Sequence, residues 1–454
     1  MYQKIRLFLT AVLLTLVFIV PVSANSAIKS WHGSSGNGAY IMDEDCPVIC
    51  EREDLLFEIG SFPDAFEELQ AYDASVTAVY TLHNPTDSAI DVRLVFPFGE
   101  DPQYLYYRNP AFDERLEDYE ILRNGLPLEK KIRYSLKTGD DFEVKADLER
   151  LRDEYQEDAF YRIDLPVFEY VYEVTGMEKE GDAYPEWQVE LGIDRSAQRL
   201  IIGDEDLRSF QSDAEGHVSA AYTPTENGAL YRIFLLGDDL IKEAVWSGLN
   251  TQENASGEVR LIEKNQIAFA ELVLSEKPDE RISDIDWYNA CVDYLKDRSI
   301  LTHEGDPFTE MNYSLLRWYE YELSFAPGET LSNSVKAPIY PDIDGYYEPP
   351  VYTYRYLLSP ASTWADFSDL NITVSTSYPM IDNKDFSEEE GKYTLYYDRL
   401  PEGELSFSLS QNASPKHSGD GIFYIVIGIL AVAAVLFLLL LGAVIRLFRK
   451  LLHK

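Results

Sequence analysis

Residues 76–97 read VTAVYTLHNPTDSAIDVRLVFP, and this stretch predicts the fold class of the chain. Apolar side chains alternate with polar ones over 76–82 and again over 90–96. Alternation with a period of two is typical of β-strands that bury one face. The Asn-Pro-Thr-Asp sequence at 84–87 is a turn between the two runs. The pattern therefore predicts a β-hairpin whose two strands pair antiparallel with each other.

Further strand patterns follow in the C-terminal part of the chain. Alternating apolar residues recur in short runs, separated by Pro- and Gly-containing turns, at 319–325, 352–356, 370–374 and 405–409. Several short strands of this kind are typical of two antiparallel sheets packed face to face. We therefore predict an N-terminal β domain over 25–111 and a C-terminal β-sandwich-like domain over 301–410.

The middle part, 112–300, mixes helical and strand patterns. Helices are predicted over 141–156, 238–247 and 283–298. The last of these has the clearest start, because Ser283 and Asp286 resemble a capping box and an apolar stripe at helical spacing follows them. The predicted fold class is therefore α+β and β-rich, with antiparallel β-sandwich-like extracellular domains and a mixed helical middle part.

The N-terminus has the pattern of a secretory signal peptide. Lys4 and Arg6 precede an uncharged apolar run, and Val22-Ser23-Ala24 places small residues where signal peptidase cuts. We predict that residues 1–24 are removed, and the alternative is an uncleaved N-terminal anchor. The bulk of the chain is then exported.

A second apolar segment, 422–445, contains 24 residues without a charge. About 20 apolar residues span a bilayer as a helix, so one C-terminal transmembrane helix is predicted here. A polar linker, 411–421, precedes it, and a basic tail, 446–454, follows it. Because positively charged flanks stay on the cytoplasmic side, we predict a single-pass type I protein of the cell membrane with its N-terminal part outside.

The charge balance excludes one class of partner. The chain has 39 Lys+Arg against 79 Asp+Glu, which gives a formal net charge of -40. Nucleic-acid binding needs a basic surface that neutralises phosphates. We therefore expect no nucleic-acid partner, whereas a protein or polysaccharide at the cell surface is compatible with the composition.

One acidic loop is a candidate metal site. Asp342, Asp344 and Glu348 surround a Gly turn, and calcium prefers such oxygen ligands. The full twelve-residue EF-hand pattern is absent, and the alternative is an acidic surface loop. No other cofactor is predicted. The catalytic motifs His-Glu-x-x-His of zinc proteases and Gly-x-Ser-x-Gly of serine hydrolases are both missing.

Three tyrosines are a candidate binding surface. Tyr352, Tyr354 and Tyr356 share one face of a predicted strand. If that face is exposed, the rings can stack on sugars or peptides; if it is buried, they belong to the sandwich core. Aromatic residues are favoured in strands and in cores, which favours the second interpretation.

The cysteines leave the disulfide state open. Cys46 and Cys50 can close a bridge outside the cell, provided that the chain folds back on itself. Two free thiols, or a bridge that involves Cys291, are the alternatives. Cys291 lies near the apolar stripe of the helix predicted over 283–298, where a buried free thiol is the usual state.

The 51–99 region resembles a known group of proteins. Glu53-Asp54-Leu55 precedes the sequence Tyr80-Thr81-Leu82-His83-Asn84-Pro85-Thr86-Asp87, and Phe96-Pro97 ends it. This is similar to uncharacterised bacterial exported proteins with an acidic-Leu segment, a Tyr-x-hydrophobic-x-Asn strand and a Phe-Pro ending. The resemblance implies a bacterial surface protein with β-sandwich domains, and it implies no activity.

These patterns predict a membrane-anchored extracellular surface protein that acts by binding or as a structural element. The absence of a catalytic motif favours this role over an enzyme. An anchored extracytoplasmic glycan hydrolase is one alternative, since paired carboxylates alone can serve glycoside cleavage. A sensor or accessory subunit that acts through a membrane partner is another, because a nine-residue tail holds no folded module.

Overall fold

The computed structural model describes nine ranges of the chain: 30–32, 36–43, 45–63, 73–99, 119–137, 144–177, 185–249, 257–381 and 385–417. The predicted signal peptide (1–24), transmembrane helix (422–445) and basic tail (446–454) lie outside these ranges. Within them, no helix combines the length and the apolar character needed to cross a bilayer.

The strands are numbered in chain order. They are β1 (Ser30–Trp31), β2 (Gly36–Asn37), β3 (Tyr40–Ile41), β4 (Ile49–Ile59), β5 (Ala74–His83), β6 (Ile90–Gly99), β7 (Glu120–Arg123), β8 (Leu126–Pro127), β9 (Lys131–Leu136), β10 (Pro166–Thr175), β11 (Glu186–Gly192), β12 (Gln198–Asp204), β13 (Leu207–Ser212), β14 (His217–Tyr222), β15 (Leu230–Gly237), β16 (Val245–Leu249), β17 (Glu258–Ala268), β18 (Ile300–Glu304), β19 (Leu315–Phe325), β20 (Thr330–Pro338), β21 (Asp342–Asp344), β22 (Tyr347–Glu348), β23 (Val351–Leu357), β24 (Leu370–Thr376), β25 (Ser387–Glu389), β26 (Lys392–Tyr397), β27 (Leu405–Ser410) and β28 (Lys416–His417). The helices are α1 (Val144–Leu148), α2 (Phe269–Ser275), α3 (Asp284–Leu295) and α4 (Thr309–Tyr313), with a 3-10 turn at Ser359–Thr363. This composition confirms a β-rich α+β fold.

The first and last parts of the chain form one unit, which we call the terminal sandwich. Its largest sheet has eight strands in the order β25-β26-β24-β4-β5-β20-β7-β8. Two shorter sheets, β3-β6-β19-β9 and β1-β21-β23-β2 with β27 on β23, face the same hydrophobic core. The segments predicted as separate β domains, 25–111 and 301–410, thus share one sheet, in which β4 pairs with β24 and β5 with β20.

The hairpin predicted over 76–97 is wrong, although both of its strands exist. β5 pairs with β4 and β20 in the eight-stranded sheet, whereas β6 pairs with β3 and β19 in a facing sheet. The connection is therefore an arch that crosses between sheets. Residues 326–329 make the same crossing from β19 to β20. Alternation predicts a buried face, but it does not say which strand lies alongside.

Asn84 holds the two arches side by side. Its fully buried side chain donates to the main-chain oxygens of Ser88 (2.8 Å) and Ala326 (3.0 Å) and accepts from the Thr86 main-chain N–H (3.0 Å). The Asn84 main-chain N–H also donates to the oxygen of Glu329 at 2.9 Å. One carboxamide thus satisfies main-chain groups in both arches, which a buried turn requires.

The residues between β9 and β19 form a second unit, which we call the inserted unit. A five-stranded sheet, β17-β10-β15-β12-β18, packs one face on the four-stranded sheet β13-β14-β11-β16 and the other on α2 and α3. The core shared with the helices and the core shared with the four-stranded sheet therefore lie on opposite faces of the five-stranded sheet. Both faces can be buried because successive residues of a strand point to opposite faces.

The three helix predictions for this unit had different outcomes. The one over 283–298 is confirmed as α3, and the Ser283 hydroxyl accepts from the Asp286 main-chain N–H at 3.0 Å. The helix predicted over 141–156 is described from 144 onward and ends at Leu148. The helix predicted over 238–247 is wrong, because residues 238–244 form a loop and β16 follows. In both cases the segment bonds to other elements rather than along a helix. The main-chain oxygens of Arg152 and Asp238 accept from the side chains of Arg133 and Gln198, and the Arg152 side chain donates to Asp293.

A buried ion pair joins the two units. The Arg133 side chain on β9 is 2% exposed and pairs with Asp286 at the start of α3, which is 1% exposed, at 3.0 Å. The same guanidinium pairs with Asp153 at 3.1 Å, contacts Glu320 of β19 and donates to the main-chain oxygen of Arg152 at 2.7 Å. Its donors are thus shared between the sandwich, the helix and the segment that follows α1, which fixes how the units meet.

Replacing Arg133 by Met should strongly destabilise the protein. Asp286 would remain buried without its cation, and breaking a buried pair in this way costs about 3–5 kcal/mol. The measurement is the free energy of unfolding from urea denaturation. Arg52→Met is the matched control, because the Arg52–Asp54 pair is exposed and such pairs contribute little. Equal stability of the two variants would contradict the role of the junction.

The terminal sandwich also buries a carboxyl group, that of Glu53. A register shift between Cys50 and Arg52 changes the phase of β4, so that Glu53 lies on the core side with Leu55. It is 2% exposed and hydrogen bonds to the Tyr80 hydroxyl. Burial raises the pKa of Glu53 to about 8, and the Tyr80 bond only partly opposes this rise. The folded protein therefore keeps this carboxyl protonated in a range where an unfolded chain ionises it.

The pKa of Glu53 predicts a fall in stability with rising pH. The unfolded state releases this proton near pH 4.3, and the folded state releases it near pH 8. Between these values the folded state binds more protons, so wild-type stability decreases as pH rises. Glu53→Gln lacks this carboxyl group. Its free energy of unfolding should therefore rise relative to that of wild type as the pH is raised from 5 to 8. Glu58→Gln is the control, because Glu58 lies on the exposed face of the same strand. Its stability should change with pH as that of wild type does. The same pH dependence in Glu53→Gln would refute the raised pKa of Glu53.

Candidate functional site

The outer face of the four-stranded sheet carries a cleft of about 510 Å³, which we call the sheet cleft. Its floor is formed by β11, β13 and β14, and one wall by the loop 238–244. The residues used below are Glu190, Gln211, Asp213, His217, Ser219 and Lys242. The inner face of the same sheet packs on the inserted unit's core, so the floor is rigid.

Strand register brings polar side chains to one row of the floor. Ser219 on β14 lies between Glu190 on β11 and Gln211 on β13. Two residues along the strand, on the same face, His217 lies opposite Gly192. Ser219 and Gly192 are small and leave space for a ligand above the sheet. The residues beside them provide hydrogen-bonding groups. This combination of a concave surface and a few convergent polar groups is typical of ligand sites.

The turn between β13 and β14 positions a histidine at one end of the cleft. Asp213 Oδ1 accepts from the His217 main-chain N–H, and Asp213 Oδ2 lies 2.9 Å from His217 Nδ1. This contact raises the pKa of His217 and lowers the pKa of Asp213. Gly216 closes the turn at φ 90°, where an added Cβ would lie 2.0 Å from the Ile193 oxygen. Only glycine fits this position.

The opposite wall is the loop after Gly237, and Gln198 holds it in place. The Gln198 side chain is 2% exposed and donates to the main-chain oxygens of Asp238 (2.8 Å) and Asp239 (3.0 Å). Lys264 adds an ion pair with Asp239 at 2.6 Å. Because the main-chain oxygens at 238–239 accept these bonds, they are not available for the helix predicted there. The loop held in this way places Lys242 beside the cleft.

Donors and acceptors are therefore mixed in the sheet cleft. Glu190 and Asp213 provide carboxylate oxygens, Gln211 and Ser219 neutral groups, and Lys242 an ammonium group. Asp213, Glu215 and His217 also bring three possible metal-ligating atoms within 4.8 Å of one another. All three side chains are exposed, and Asp213 already bonds to His217, so we interpret this group as the polar rim of the cleft.

The candidate stacking face is buried. Tyr352, Tyr354 and Tyr356 are 6%, 0% and 1% exposed and lie in the core of the terminal sandwich. Phe62 stacks on Tyr352 with ring centroids 4.0 Å apart, and Phe407 stacks on Tyr354 at 5.4 Å. The rings face other core residues because β23 turns this side toward the eight-stranded sheet. They are core residues, and no ligand can stack on them.

The candidate calcium loop does not gather its three carboxylates. Asp342 and Asp344 lie on β21, and Glu348 lies on β22. The Asp342 carboxylate pairs with Arg355 at 2.7 Å, and Asp344 accepts from the Tyr346 main-chain N–H at 2.9 Å. Strand pairing of β21 with β23 brings Arg355 to Asp342, which a sequence pattern does not reveal.

All three cysteines are free thiols in the structure. Cys50 lies at the start of β4 with its side chain in the sandwich core, whereas Cys46 is only half-buried. Val48, between them, is fully buried. Burial raises the pKa of both thiols and of Cys291. The 46–50 bridge predicted as one alternative is therefore absent.

Comparisons with known proteins identify no family. No protein-family model matches the chain, and no curated protein matches it. A solved structure from Legionella pneumophila, a "putative nutrient binding protein", covers 84% of this chain and 73% of its own, with 11% sequence identity and a TM-score of 0.31. A TM-score this low does not establish a common fold, so nothing is inferred from it.

Alkylation should distinguish the three thiols. In the folded protein, iodoacetamide should modify Cys46 alone, because Cys50 and Cys291 are buried. In urea without a reductant, all three should react. Mass spectrometry of peptides gives the result. Modification of Cys291 alone under the second condition would show that Cys46 and Cys50 are bridged after all.

Proposed function

We propose that this chain is a membrane-anchored extracytoplasmic binding protein and that the sheet cleft is its ligand surface. The observation that carries the proposal is the cleft itself, a rigid floor with convergent polar groups next to a tethered loop. The proposed partner is a polysaccharide of the cell surface. Its hydroxyl groups both donate and accept hydrogen bonds, as the cleft requires.

The proposed location rests on the sequence. The described residues, 30–417, lie between the predicted signal peptide and the predicted transmembrane helix. A net charge of -40 favours solubility outside the cell and repels anionic polymers. We therefore expect a neutral or amino-sugar glycan rather than an acidic one.

The positions of the carboxyl groups support binding over hydrolysis. A glycosidase needs a general acid with a raised pKa beside the substrate. Glu53, with a pKa of about 8, and Asp204, whose pKa is also raised, both lie outside the sheet cleft. In the sheet cleft, the pKa of Asp213 is lowered instead. A lowered pKa suits a hydrogen-bond acceptor.

The test uses intact cells that produce the full chain with a C-terminal tag. Fluorescent chitooligosaccharide and cellooligosaccharide serve as probes, and flow cytometry measures binding. Wild-type cells should bind at least one probe and lose it after trypsin treatment. Ser219→Arg should abolish binding, because the long side chain fills the row between Glu190 and Gln211.

Ser247→Arg is the matched control. Ser247 lies on β16 opposite Gln188, on the same outer face but one row away from the cleft. Cells that produce Ser247→Arg should bind the probes as wild-type cells do. If Ser219→Arg binds as well as wild type, the cleft is not the ligand surface. If wild type binds neither probe, the neutral-glycan proposal is wrong. If the protein resists trypsin in intact cells, the proposed location is wrong.

A further inference from the structure

A second group of carboxylates lies at the corner where the chain passes from one sheet of the inserted unit to the other. Asp204 ends β12, and Asp206 precedes β13. The Asp206 main-chain N–H donates to Asp204 Oδ1 at 2.9 Å, and the Tyr231 hydroxyl donates to Asp206 Oδ2 at 3.1 Å. Both aspartates are half-buried. These bonds fix the two carboxylates side by side.

A buried hydroxyl group faces this turn. Tyr222 on β14 pairs with Leu207, the residue after Asp206, and the Thr223 main-chain N–H donates to the Asp206 oxygen at 2.9 Å. Tyr222 is 0% exposed, and its hydroxyl has no hydrogen-bond partner among the residues that the structure describes. The nearby Asp204 carboxylate adds to the effect of burial in raising the pKa of Tyr222. A buried hydroxyl without a partner calls for an explanation, and an ion or water bound beside it is one.

No ion pair among the described residues neutralises the two aspartates. Burial raises the pKa of Asp204, and the negative charges of Asp206 and Glu205 raise it further. Across the described ranges, no Lys or Arg forms an ion pair with Asp204 or Asp206. The charge of Arg208 lowers the pKa of Asp204, but its guanidinium forms no ion pair there and donates instead to the main-chain oxygen of Glu205 at 2.8 Å. Partly buried carboxylates without a counter-charge destabilise a fold unless a cation is bound.

We infer that the Asp204–Asp206 turn binds a divalent cation of the calcium class, with both carboxylates as ligands and the Tyr222 hydroxyl directed to the ion's coordination shell. Hard divalent cations prefer oxygen ligands, and calcium accepts irregular geometry. Calcium sites of extracellular modules typically have a Kd of about 0.1–1 mM. The turn joins the two sheets that form the inserted unit's core, so the bound ion would stabilise this corner.

This site differs from the acidic groups at Asp342 and at Asp213 described above. Asp342 is neutralised by Arg355, and the exposed Asp213 bonds to His217. Neither has an unpartnered buried hydroxyl beside it. The Asp204–Asp206 turn combines missing counter-charge with a missing hydrogen-bond partner, and one oxygen-ligated cation would satisfy both.

The test uses the full chain in detergent and terbium as a calcium substitute. Tyr222 and Tyr231, with ring centroids 4.4 Å apart, should sensitise terbium luminescence on excitation near 280 nm, since tyrosine absorbs there. Luminescence should saturate and should be displaced by Ca²⁺. Asp204→Asn and Asp206→Asn should each weaken terbium binding about tenfold or more, because ligand charge sets affinity. Tyr222→Phe should weaken it to a similar degree, as outer-shell partners do.

Asp213→Asn is the matched control and should leave terbium binding unchanged. Calcium should also raise the melting temperature of wild type but not of Asp204→Asn. Without calcium, the variant should melt no lower than wild type, because it lacks one of the unpaired carboxylates. Absence of saturable terbium binding would overturn the inference. Loss of binding in Asp213→Asn with retention in Asp204→Asn would overturn it too, and unchanged binding in Tyr222→Phe would remove the hydroxyl from the site.

Discussion

The terminal sandwich depends on one constraint: the chain passes between facing sheets in two arches, from β5 to β6 and from β19 to β20, and these arches must lie together. Asn84 meets this constraint, because its carboxamide bonds to main-chain groups of both arches from a fully buried position. The arches in turn determine that β5 pairs with β20 and β6 with β19. Residues about 250 positions apart in sequence are thereby placed side by side, and the N- and C-terminal parts become one core.

The inserted unit takes its position from a different kind of contact. Arg133 is nearly inaccessible, and its donors are divided among Asp286, Glu320 and Asp153. Such a pair is stable only when every partner is in place. The requirement ties the start of α3 to β9 and β19. Because α2 and α3 cover the five-stranded sheet, the same contact orients the sheet cleft and the Asp204–Asp206 turn relative to the terminal sandwich.

Buried polar groups in this protein fall into two kinds. Asn84, Arg133 and Gln198 have partners for their donors, so they specify how distant segments meet. Glu53 and Asp204 have raised pKa values because burial disfavours their charged forms. Glu53 is remote from solvent, and its raised pKa makes stability depend on pH. Asp204 lies at a half-exposed corner, where an external cation can reach it.

The sequence alone established the β-rich α+β class, the existence of the strands within 76–97 and the capped helix α3. Each follows from local periodicity or from a capping residue, which act over a few positions. It did not establish that 76–83 and 90–97 lie in different sheets. It favoured the core position of Tyr352, Tyr354 and Tyr356, which burial in the structure confirms. His217, Gln198, Arg133 and Tyr222 carry no motif; the turn sequence from Asp213 to Gly216 is the single local signal near any of them. Their roles arise from contacts between residues far apart in the chain, because strand pairing and burial depend on the whole fold, and only the tertiary structure decides them.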